Sequence, residues 1–367
     1  MIDNCETFLR LFDNCSYDYS DRIISELKEH KRPIVLFGTG EVASRVLAKL
    51  KKYDVVPDYQ MVDPEFEENA VFEYPNFSKI NMINRDACLV AGIRNYPHVR
   101  NVGIKLGIEN TVFFDNIFDT EIIRKDFFAQ NIISFFLTYD SFLDDKSKET
   151  MIAYLKTNFT HDPSYMFSVW DQGMPYFSFD GLKISDNECF VNCGAYDGDT
   201  ISDFLKIGNY KKIYALEADN DTFKLLDDRF NQDNIIKINK AVYSDSNGIQ
   251  FKSFCNPSYN MSRGMSKIVK NNEEGSQRIE TCTIDDIVSA EETVTLINMD
   301  IEGAEISALK GGKRTIIKDR PKLAISAYHK EDDLISIPSL IKSFDNTYKF
   351  ALRAYCPWSE ELVLYAY

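Results

Sequence analysis

Phe190-Val191-Asn192-Cys193-Gly194-Ala195-Tyr196-Asp197-Gly198-Asp199-Thr200 is a short apolar run that passes through a glycine turn into the start of a helix. A buried strand followed by such a turn is typical of parallel sheets that bind a nucleoside at their carboxyl edge. Gly194 allows the chain to turn sharply where the strand ends, and Gly198 allows close approach of a ligand and of the helix. The stretch therefore predicts an α/β sheet with a nucleoside-binding turn.

A second apolar run, Lys212-Ile213-Tyr214-Ala215-Leu216, follows and ends in Glu217. A carboxylate at the end of the second strand can accept hydrogen bonds from both hydroxyl groups of a ribose. The glycine turn and this acid together predict a cofactor that contains adenosine.

The residues of the turn indicate which cofactor this is. A dinucleotide fingerprint requires a middle glycine, and Tyr196 occupies that place here. Asp197 and Asp199 flank Gly198, and their charges would repel a pyrophosphate but attract a cationic sulfonium. The pattern therefore favours S-adenosylmethionine over NAD.

Apolar runs in the second half of the chain predict a seven-stranded sheet. They cover 189–193, 212–216, 235–239, 295–299, 322–327, 348–354 and 361–366. Strands that alternate with helices imply a doubly wound, mainly parallel sheet, and we expect the last strand to insert antiparallel to it. The predicted fold class is α/β.

A smaller parallel sheet is predicted earlier, with strands at 34–37, 59–62, 87–91 and 111–114. Its first strand leads into Gly38-Thr39-Gly40, and Asp63 follows the next strand, which outlines a second, Rossmann-like nucleotide site at Gly38, Gly40 and Asp63. The alternative is a domain that is purely architectural or that dimerises. In the second case the protein would be a homodimer. Both interpretations remain open.

These patterns predict three regions. Residues 1–116 form a Rossmann-like domain with a helical lead, 117–180 a helical connector, and 181–367 the larger sheet domain. Within the connector we expect helices over 122–137 and 146–159.

Candidate catalytic residues follow two strands of the larger sheet. Asp300 and Glu302 come after the strand at 295–299, and His329 comes after the next one. A histidine near an acceptor hydroxyl can take its proton, because its pKa lies near neutrality. We predict His329 as the base, with Asp300 and Glu302 as orienting residues or alternative bases. The two acids could instead bind Mg²⁺, but we expect no resident metal.

Seven motifs follow one another in the second half of the chain. In order they are GAYDGDT (194–200), ALEAD (215–219), KAV (240–242), TIDD (283–286), MDIEGAE (299–305), LKGG (309–312) and RPKLAISAYHK (320–330). Together they resemble the motifs of the FkbM family of S-adenosylmethionine-dependent methyltransferases. The resemblance covers about residues 165–367. It implies a class I methyltransferase fold and methyl transfer to a hydroxyl oxygen, often on a sugar or polyketide, consistent with polysaccharide biosynthesis.

The resemblance also assigns cofactor-binding positions. Gly194, Ala195, Gly198, Asp199 and Thr200 would line the methionine and ribose, Glu217 would hold the ribose beside Ala218 and Asp219, and Ala241 and Val242 would flank the adenine; Asn192, Tyr196 and Asp300 complete the expected set. The family usually has an acid where Asn192 stands. This departure keeps an alternative open, a nucleotide-sugar-binding or NAD-dependent sugar-modifying protein with a vestigial methyltransferase half.

Composition excludes several other classes of function. Lys and Arg number 42 against 57 Asp and Glu, and this net charge of −15 argues against nucleic acid as a partner. No apolar run approaches the length of a membrane-spanning helix. The first residues carry acids where a signal peptide has a basic region, and none of the eight cysteines forms a CxxC pair. We therefore expect a cytoplasmic enzyme whose partner is a small-molecule or glycan acceptor.

Overall fold

The computed structural model describes residues 2–15, 18–29, 32–79, 86–93, 95–114, 122–252, 267–269 and 274–367. The chain divides into two compact units. The first comprises Met1–Arg124, Ile152–Ser168 and Pro357–Ser359, and the second comprises Lys125–Met151, Val169–Cys356 and Glu360–Tyr367. The segment predicted as a connector thus contributes to both units, and the domain boundaries drawn from the sequence stay a prediction.

In sequence, helices precede the first strand and separate many of the later strands. In chain order they are α1 (Ile2–Arg10), α2 (Tyr19–Glu29), α3 (Glu41–Lys52), α4 (Tyr96–Leu106), α5 (Lys125–Gln130), α6 (Ile132–Ser141), α7 (Asp145–Thr160), α8 (Ser164–Val169), α9 (Asp199–Phe204), α10 (Asn220–Arg229), α11 (Ile284–Ile287), α12 (Glu305–Gly311), α13 (Lys313–Asp319) and α14 (Asp333–Phe344). Within the part of the chain that the structure describes, none of them has the length and apolar character needed to cross a membrane.

The connector contains more helices than its sequence pattern indicates. The helix predicted over 122–137 is two helices, α5 and α6, which meet at Asn131. The side chain of Asn131 donates a hydrogen bond to the carbonyl of Phe127 at 2.9 Å. A side chain that bonds to the backbone in this way competes with continuation of the helix.

The strands form four sheets among the described residues. In chain order they are β1 (Ile34–Phe37), β2 (Tyr59–Met61), β3 (Cys88–Ala91), β4 (Asn110–Val112), β5 (Glu188–Cys193), β6 (Tyr210–Leu216), β7 (Ile235–Ile238), β8 (Ala241–Val242), β9 (Ile249–Lys252), β10 (Lys267–Ile268), β11 (Gln277–Ile279), β12 (Thr281–Cys282), β13 (Leu296–Met299), β14 (Lys322–Ser326), β15 (Phe350–Ala354) and β16 (Leu362–Ala366).

The first unit contains the small parallel sheet expected from the sequence, in the order β2-β1-β3-β4. Every residue of β1 and of β3 is buried. Central parallel strands are covered on both faces, which is why these segments read as continuous apolar runs without alternation.

The second unit contains a seven-stranded sheet in the order β15-β16-β14-β13-β5-β6-β7. The last strand, β16, runs antiparallel to both of its neighbours, and the other pairs are parallel. The predicted α/β fold, with seven strands and an antiparallel last strand, is confirmed.

Two small sheets were not predicted. One is the pair β12-β8, and the other is the antiparallel sheet β10-β9-β11. The paired strands β8 and β12 have two residues each. Segments this short carry too few residues to show the alternation that identifies a strand in sequence.

The register of the large sheet brings four strand ends together. Cys193 at the end of β5 lies opposite Leu216 in β6 and Met299 in β13, and Met299 lies opposite Ile325 in β14. Residues that follow these strands therefore meet at one edge, which is where ligands bind in open α/β sheets.

Candidate functional site

The glycine turn after β5 packs directly on the neighbouring strand ends. Gly194 has φ 81° and Gly198 has φ 90°, both in the left-handed region that favours glycine. A Cβ atom on Gly194 would lie 1.9 Å from the carbonyl oxygen of Asp300. The backbone N–H groups of Gly194 and Ala195 donate to the carbonyl of Leu216 at 3.0 and 2.8 Å. Glycine is thus required here by contact as well as by conformation.

Glu217 is fixed to this turn through both of its carboxylate oxygens. Oε2 accepts a hydrogen bond from the backbone N–H of Tyr196 at 2.9 Å, and Oε1 accepts one from Asp219 at 2.7 Å. Burial raises the pKa of Glu217 to about 7, against the lowering effect of these hydrogen bonds. Each oxygen keeps a further lone pair, so the carboxylate can still accept the two hydroxyls of a ribose.

Other predicted cofactor residues have local structural roles in the structure. Asp219 caps the start of α10, since its side chain accepts from the backbone N–H groups of Asp221 and Thr222. Ala241 and Val242 form β8 and are buried against β12. Ala218 lies half-buried between Glu217 and Asp219.

The charge of the turn is smaller than its sequence indicates. Asp197 pairs with the guanidinium of Arg229, at 3.2 Å from Nη1 and 2.8 Å from Nη2. Asp199 is exposed at the start of α9 and accepts from the backbone N–H of Thr200 at 2.6 Å. Of the two acids that favoured a cationic cofactor, one is therefore already neutralised by a neighbouring cation.

Asn192 lies under the turn with no hydrogen-bond partner for its side chain. It is fully buried in β5, and neither its amide nitrogen nor its amide oxygen forms a hydrogen bond. Asn298 faces it from the paired position in β13, and its amide oxygen is also without a partner. Buried amides without partners cost free energy, so they mark a place where a polar ligand group or a water fits.

The predicted catalytic residues are brought together at the ends of β13 and β14. Nε2 of His329 lies 3.3 Å from Oδ1 of Asp300 and 3.8 Å from Oε2 of Glu302. On the other side of the ring, Nδ1 of His329 lies 3.0 Å from Oε1 of Glu305. One imidazole is thus surrounded by three carboxylates.

This arrangement determines the protonation of His329. Burial by itself would lower its pKa, but the charges of Glu305, Asp300 and Glu302 outweigh burial and raise the pKa to about 10. The three carboxylates thus favour the protonated form of the imidazole over the neutral form. A base must be able to accept a proton, and the role of His329 as the base stays a prediction.

Two residues of this cluster were missed in the sequence. Glu305 was given only as the last residue of the motif MDIEGAE, yet its buried carboxylate holds the imidazole. The hydroxyl of Tyr176 donates to Oδ2 of Asp300 at 2.7 Å and lies 3.2 Å from the hydroxyl of Ser326. The available signal for Glu305 was its place in the motif MDIEGAE, three residues after Glu302. No comparable signal indicated that Tyr176 contacts Asp300.

The second predicted nucleotide site lies in the first unit. Gly38 has φ 122°, and Gly40 precedes α3 with open space around its Cα. Asp63, the acid expected to hold a ribose, pairs through both oxygens with Nε2 of His98 at 2.8 and 2.9 Å. A nucleotide at this turn stays a prediction.

Comparisons with known proteins agree with this geometry. Residues 192–350 match the family model described as the methyltransferase FkbM domain. Among solved structures, the methyltransferase FkbM from Methylobacillus flagellatus KT is 21% identical, with 100% of this chain and 98% of that chain covered and a TM-score of 0.67. This match shows a shared fold.

Two further structural matches each cover half of the chain. An rRNA methylase from Streptococcus thermophilus is 12% identical, covers 50% of this chain and 87% of its own, and has a TM-score of 0.32. Aeropyrum pernix fibrillarin in complex with natively bound S-adenosyl-L-methionine is 13% identical, covers 50% and 67%, and has a TM-score of 0.31. No curated protein matches the chain. The matched residues 192–350 contain the glycine turn and the histidine–carboxylate cluster, so both features lie within the methyltransferase FkbM domain.

Proposed function

We propose that the protein is an S-adenosylmethionine-dependent O-methyltransferase that acts on a hydroxyl group of a sugar, a glycan precursor or a related metabolite. The observation that carries this proposal is the FkbM domain, together with the turn and strand-end carboxylate that it contains. The preference for a sugar depends on the family resemblance. Bound S-adenosylmethionine would supply an electrophilic methyl group on a sulfonium.

The residues at the turn fit this cofactor. Glu217 offers two hydrogen-bond acceptors that are held in place by the backbone, as a ribose requires. The unpartnered amide of Asn192 lies below the same turn and leaves a polar group available on that side. Gly194 and Gly198 keep side chains away from the strand end, so the backbone can approach a ligand.

The residues at the other side of the edge suit an alcohol. Asp300 and Glu302 are 30% and 37% exposed in their side chains, so a hydroxyl can reach them. Their carboxylates can orient this hydroxyl and take its proton while its oxygen accepts the methyl group. His329, which lies 3.3 Å from Asp300 and 3.8 Å from Glu302, helps to hold the two carboxylates in place.

Label transfer tests the function. The protein is incubated with S-adenosylmethionine labelled on its methyl group and with a cell extract, and we expect label in a product that keeps it after base treatment, as an ether does. A protein with a vestigial methyltransferase half would transfer no label to any product. Calorimetry with S-adenosylhomocysteine and NAD tests the cofactor separately, and tighter binding of NAD at the turn would overturn its assignment.

A Glu217→Ala variant connects cofactor binding to the turn. We expect it to weaken S-adenosylhomocysteine by about 1–3 kcal/mol, the scale for loss of a charged hydrogen-bond partner. Asp203→Ala is a matched control, because this acid pairs only with the neighbouring Lys206 on the exposed face of α9.

A further inference from the structure

The histidine–carboxylate cluster contains a buried ring nitrogen without a hydrogen bond. Nε2 of His329 has no hydrogen-bond partner, and the side chain is only 8% exposed. This atom lies 3.3 Å from Oδ1 of Asp300 and 3.8 Å from Oε2 of Glu302. One nitrogen and two carboxylate oxygens at such separations can converge on a small cation, since each metal–ligand bond is only about 2.0–2.2 Å long.

Two atoms that face away from this point, Nδ1 of His329 and Oδ2 of Asp300, are held by contacts with other residues. Oε1 of Glu305 lies 3.0 Å from Nδ1 of His329 and also accepts the backbone N–H of Ile301 at 3.1 Å. Tyr176 donates to Oδ2 of Asp300 at 2.7 Å, which leaves Oδ1 turned toward the imidazole. Histidines that bind metals almost always donate their second N–H to a carboxylate or a carbonyl, and such outer contacts fix the ligand atoms in place.

The charges around the cluster also favour a cation. Asp300, Glu302 and Glu305 surround one imidazole, and the carboxylate of Asp333 accepts the backbone N–H of His329 at 2.9 Å. The nearby ammonium of Lys330 contacts the carbonyl of Gly303. These carboxylates outnumber the nearby ammonium, and a cation bound here would replace the proton on Nε2, because imidazole binds metals in its neutral form.

We propose that Nε2 of His329, Oδ1 of Asp300 and Oε2 of Glu302 bind a divalent cation of the first transition series at the acceptor side of the site. A mixed set of one imidazole and two carboxylates suits Mn²⁺, Fe²⁺ or Zn²⁺, because imidazole is a poor ligand for Mg²⁺. The sequence analysis expected no resident metal, and the contacts of Glu305 and Tyr176 are what change this. The role of the ion, which is to polarise an acceptor hydroxyl, rests on the proposed function, but its binding does not.

Titration with Mn²⁺ tests the site. Metal-free full-length protein is titrated with Mn²⁺, and free Mn²⁺ is measured by electron paramagnetic resonance. We expect one strong site per chain, with an affinity that falls at least about tenfold in His329→Ala and in Glu302→Gln. His98→Ala is the matched control, because it removes another histidine that pairs with a carboxylate, at 2.8 Å, in the first unit. Absence of binding, or equal affinity in wild type and both variants, would overturn the proposal.

A variant of a residue that contacts a proposed ligand distinguishes metal binding from packing. Tyr176→Phe removes one hydroxyl, and we expect it to weaken Mn²⁺ about tenfold, because Asp300 loses the contact that turns Oδ1 toward the metal. Binding of S-adenosylhomocysteine, measured on the same samples, shows that each variant is folded. If S-adenosylhomocysteine binds and Mn²⁺ does not, the metal-site proposal is wrong and the methyltransferase proposal stands. If Mn²⁺ binds and S-adenosylhomocysteine does not, the metal site stands and the cofactor assignment is wrong.

Discussion

The hydroxyl of Tyr176 lies 2.7 Å from Oδ2 of Asp300, although 124 residues separate them in sequence. Tyr176 has φ 67°, a backbone conformation that costs energy for a side chain of this size. Its ring is buried in the second unit. A strained, buried tyrosine that orients the acid at the end of β13 is a feature of the acceptor side of the site.

Tyr176→Phe should therefore lower methyl transfer about tenfold, the scale for losing one hydrogen bond to a charged group. We expect the affinity for S-adenosylhomocysteine to stay unchanged, because the removed hydroxyl contacts Asp300 and Ser326 and the ring itself is kept. Label transfer and calorimetry measure the two quantities. Tyr355→Phe removes a similarly buried hydroxyl, which contacts Tyr365 at 2.6 Å, and should leave transfer unchanged. Equal loss in both variants would contradict a special role for Tyr176.

Cofactor affinity should depend on pH through Glu217. Its pKa of about 7 means that the carboxylate loses charge as the pH falls below 7. Only the ionised form accepts two ribose hydroxyls, so we expect the affinity for S-adenosylhomocysteine to fall by up to about tenfold per pH unit between pH 7 and pH 5.5. Calorimetry across this range measures it, and Glu217→Gln should bind more weakly with a flat profile. A sloping profile in Glu217→Gln would assign the titration to another group.

The same shift has the opposite sign for the stability of the unliganded protein. The folded-state pKa of Glu217 lies above its ordinary value of 4.5, so the folded state binds this proton more tightly than the unfolded state. Its contribution to the free energy of unfolding is therefore greatest below pH 4.5 and falls as the pH rises to 7. Denaturation of wild type and Glu217→Gln at several pH values isolates this contribution.

Gly194→Ala should destabilise the protein severely. The added Cβ would lie 1.9 Å from the carbonyl oxygen of Asp300, and alanine also resists φ 81°. We expect the free energy of unfolding to fall by more than about 4 kcal/mol, the range of exceptional core substitutions. Gly40→Ala is the matched control, since nothing lies within 4 Å of a Cβ there, and it should cost less than about 1 kcal/mol. Urea unfolding measures both, and similar losses would contradict the contact.

Arg353→Ala should destabilise the second unit by about 2 kcal/mol, because a buried side chain and its hydrogen bonds are lost while its partner Asp144, which is 35% exposed, stays hydrated. The guanidinium is 10% exposed, donates to Ser147 at 2.8 Å and lies 3.1 Å from Asp144. Arg320→Ala removes an ion pair that is 41% exposed on the arginine side and should cost less than about 1 kcal/mol. Urea unfolding distinguishes the two, and an equal effect would show that Arg353 is not part of the core.

The local structure of the proposed cofactor side was largely predictable, because its sequence signals are local. Gly194 and Glu217 each follow directly after a buried strand, and the order of parallel strands places such residues at one edge. The charge argument was weaker, because the partner of Asp197 is Arg229, on a helix whose orientation no local pattern reports.

For the proposed acceptor side, the sequence indicated which residues lie close together but not which groups contact His329 and Asp300. Asp300, Glu302 and His329 were identified as neighbours, and the structure brings them together. The carboxylate of Glu305 contacts Nδ1 of His329 and favours its protonated form. The sequence alone does not show that this carboxylate faces the imidazole. Tyr176 comes from an irregular aromatic segment, for which no periodicity exists to give a register.

The contact between Gly194 and the carbonyl of Asp300 joins the cofactor turn to the strand that carries the acceptor-side acids. Neither side can shift by the width of a methyl group without displacing the other. An evolving lineage that gains a new acceptor must therefore change segments that touch neither residue, while the strand ends themselves stay fixed. In such a scaffold we expect changes of substrate to arise in the loops, while the strand ends of the sheet keep the same arrangement.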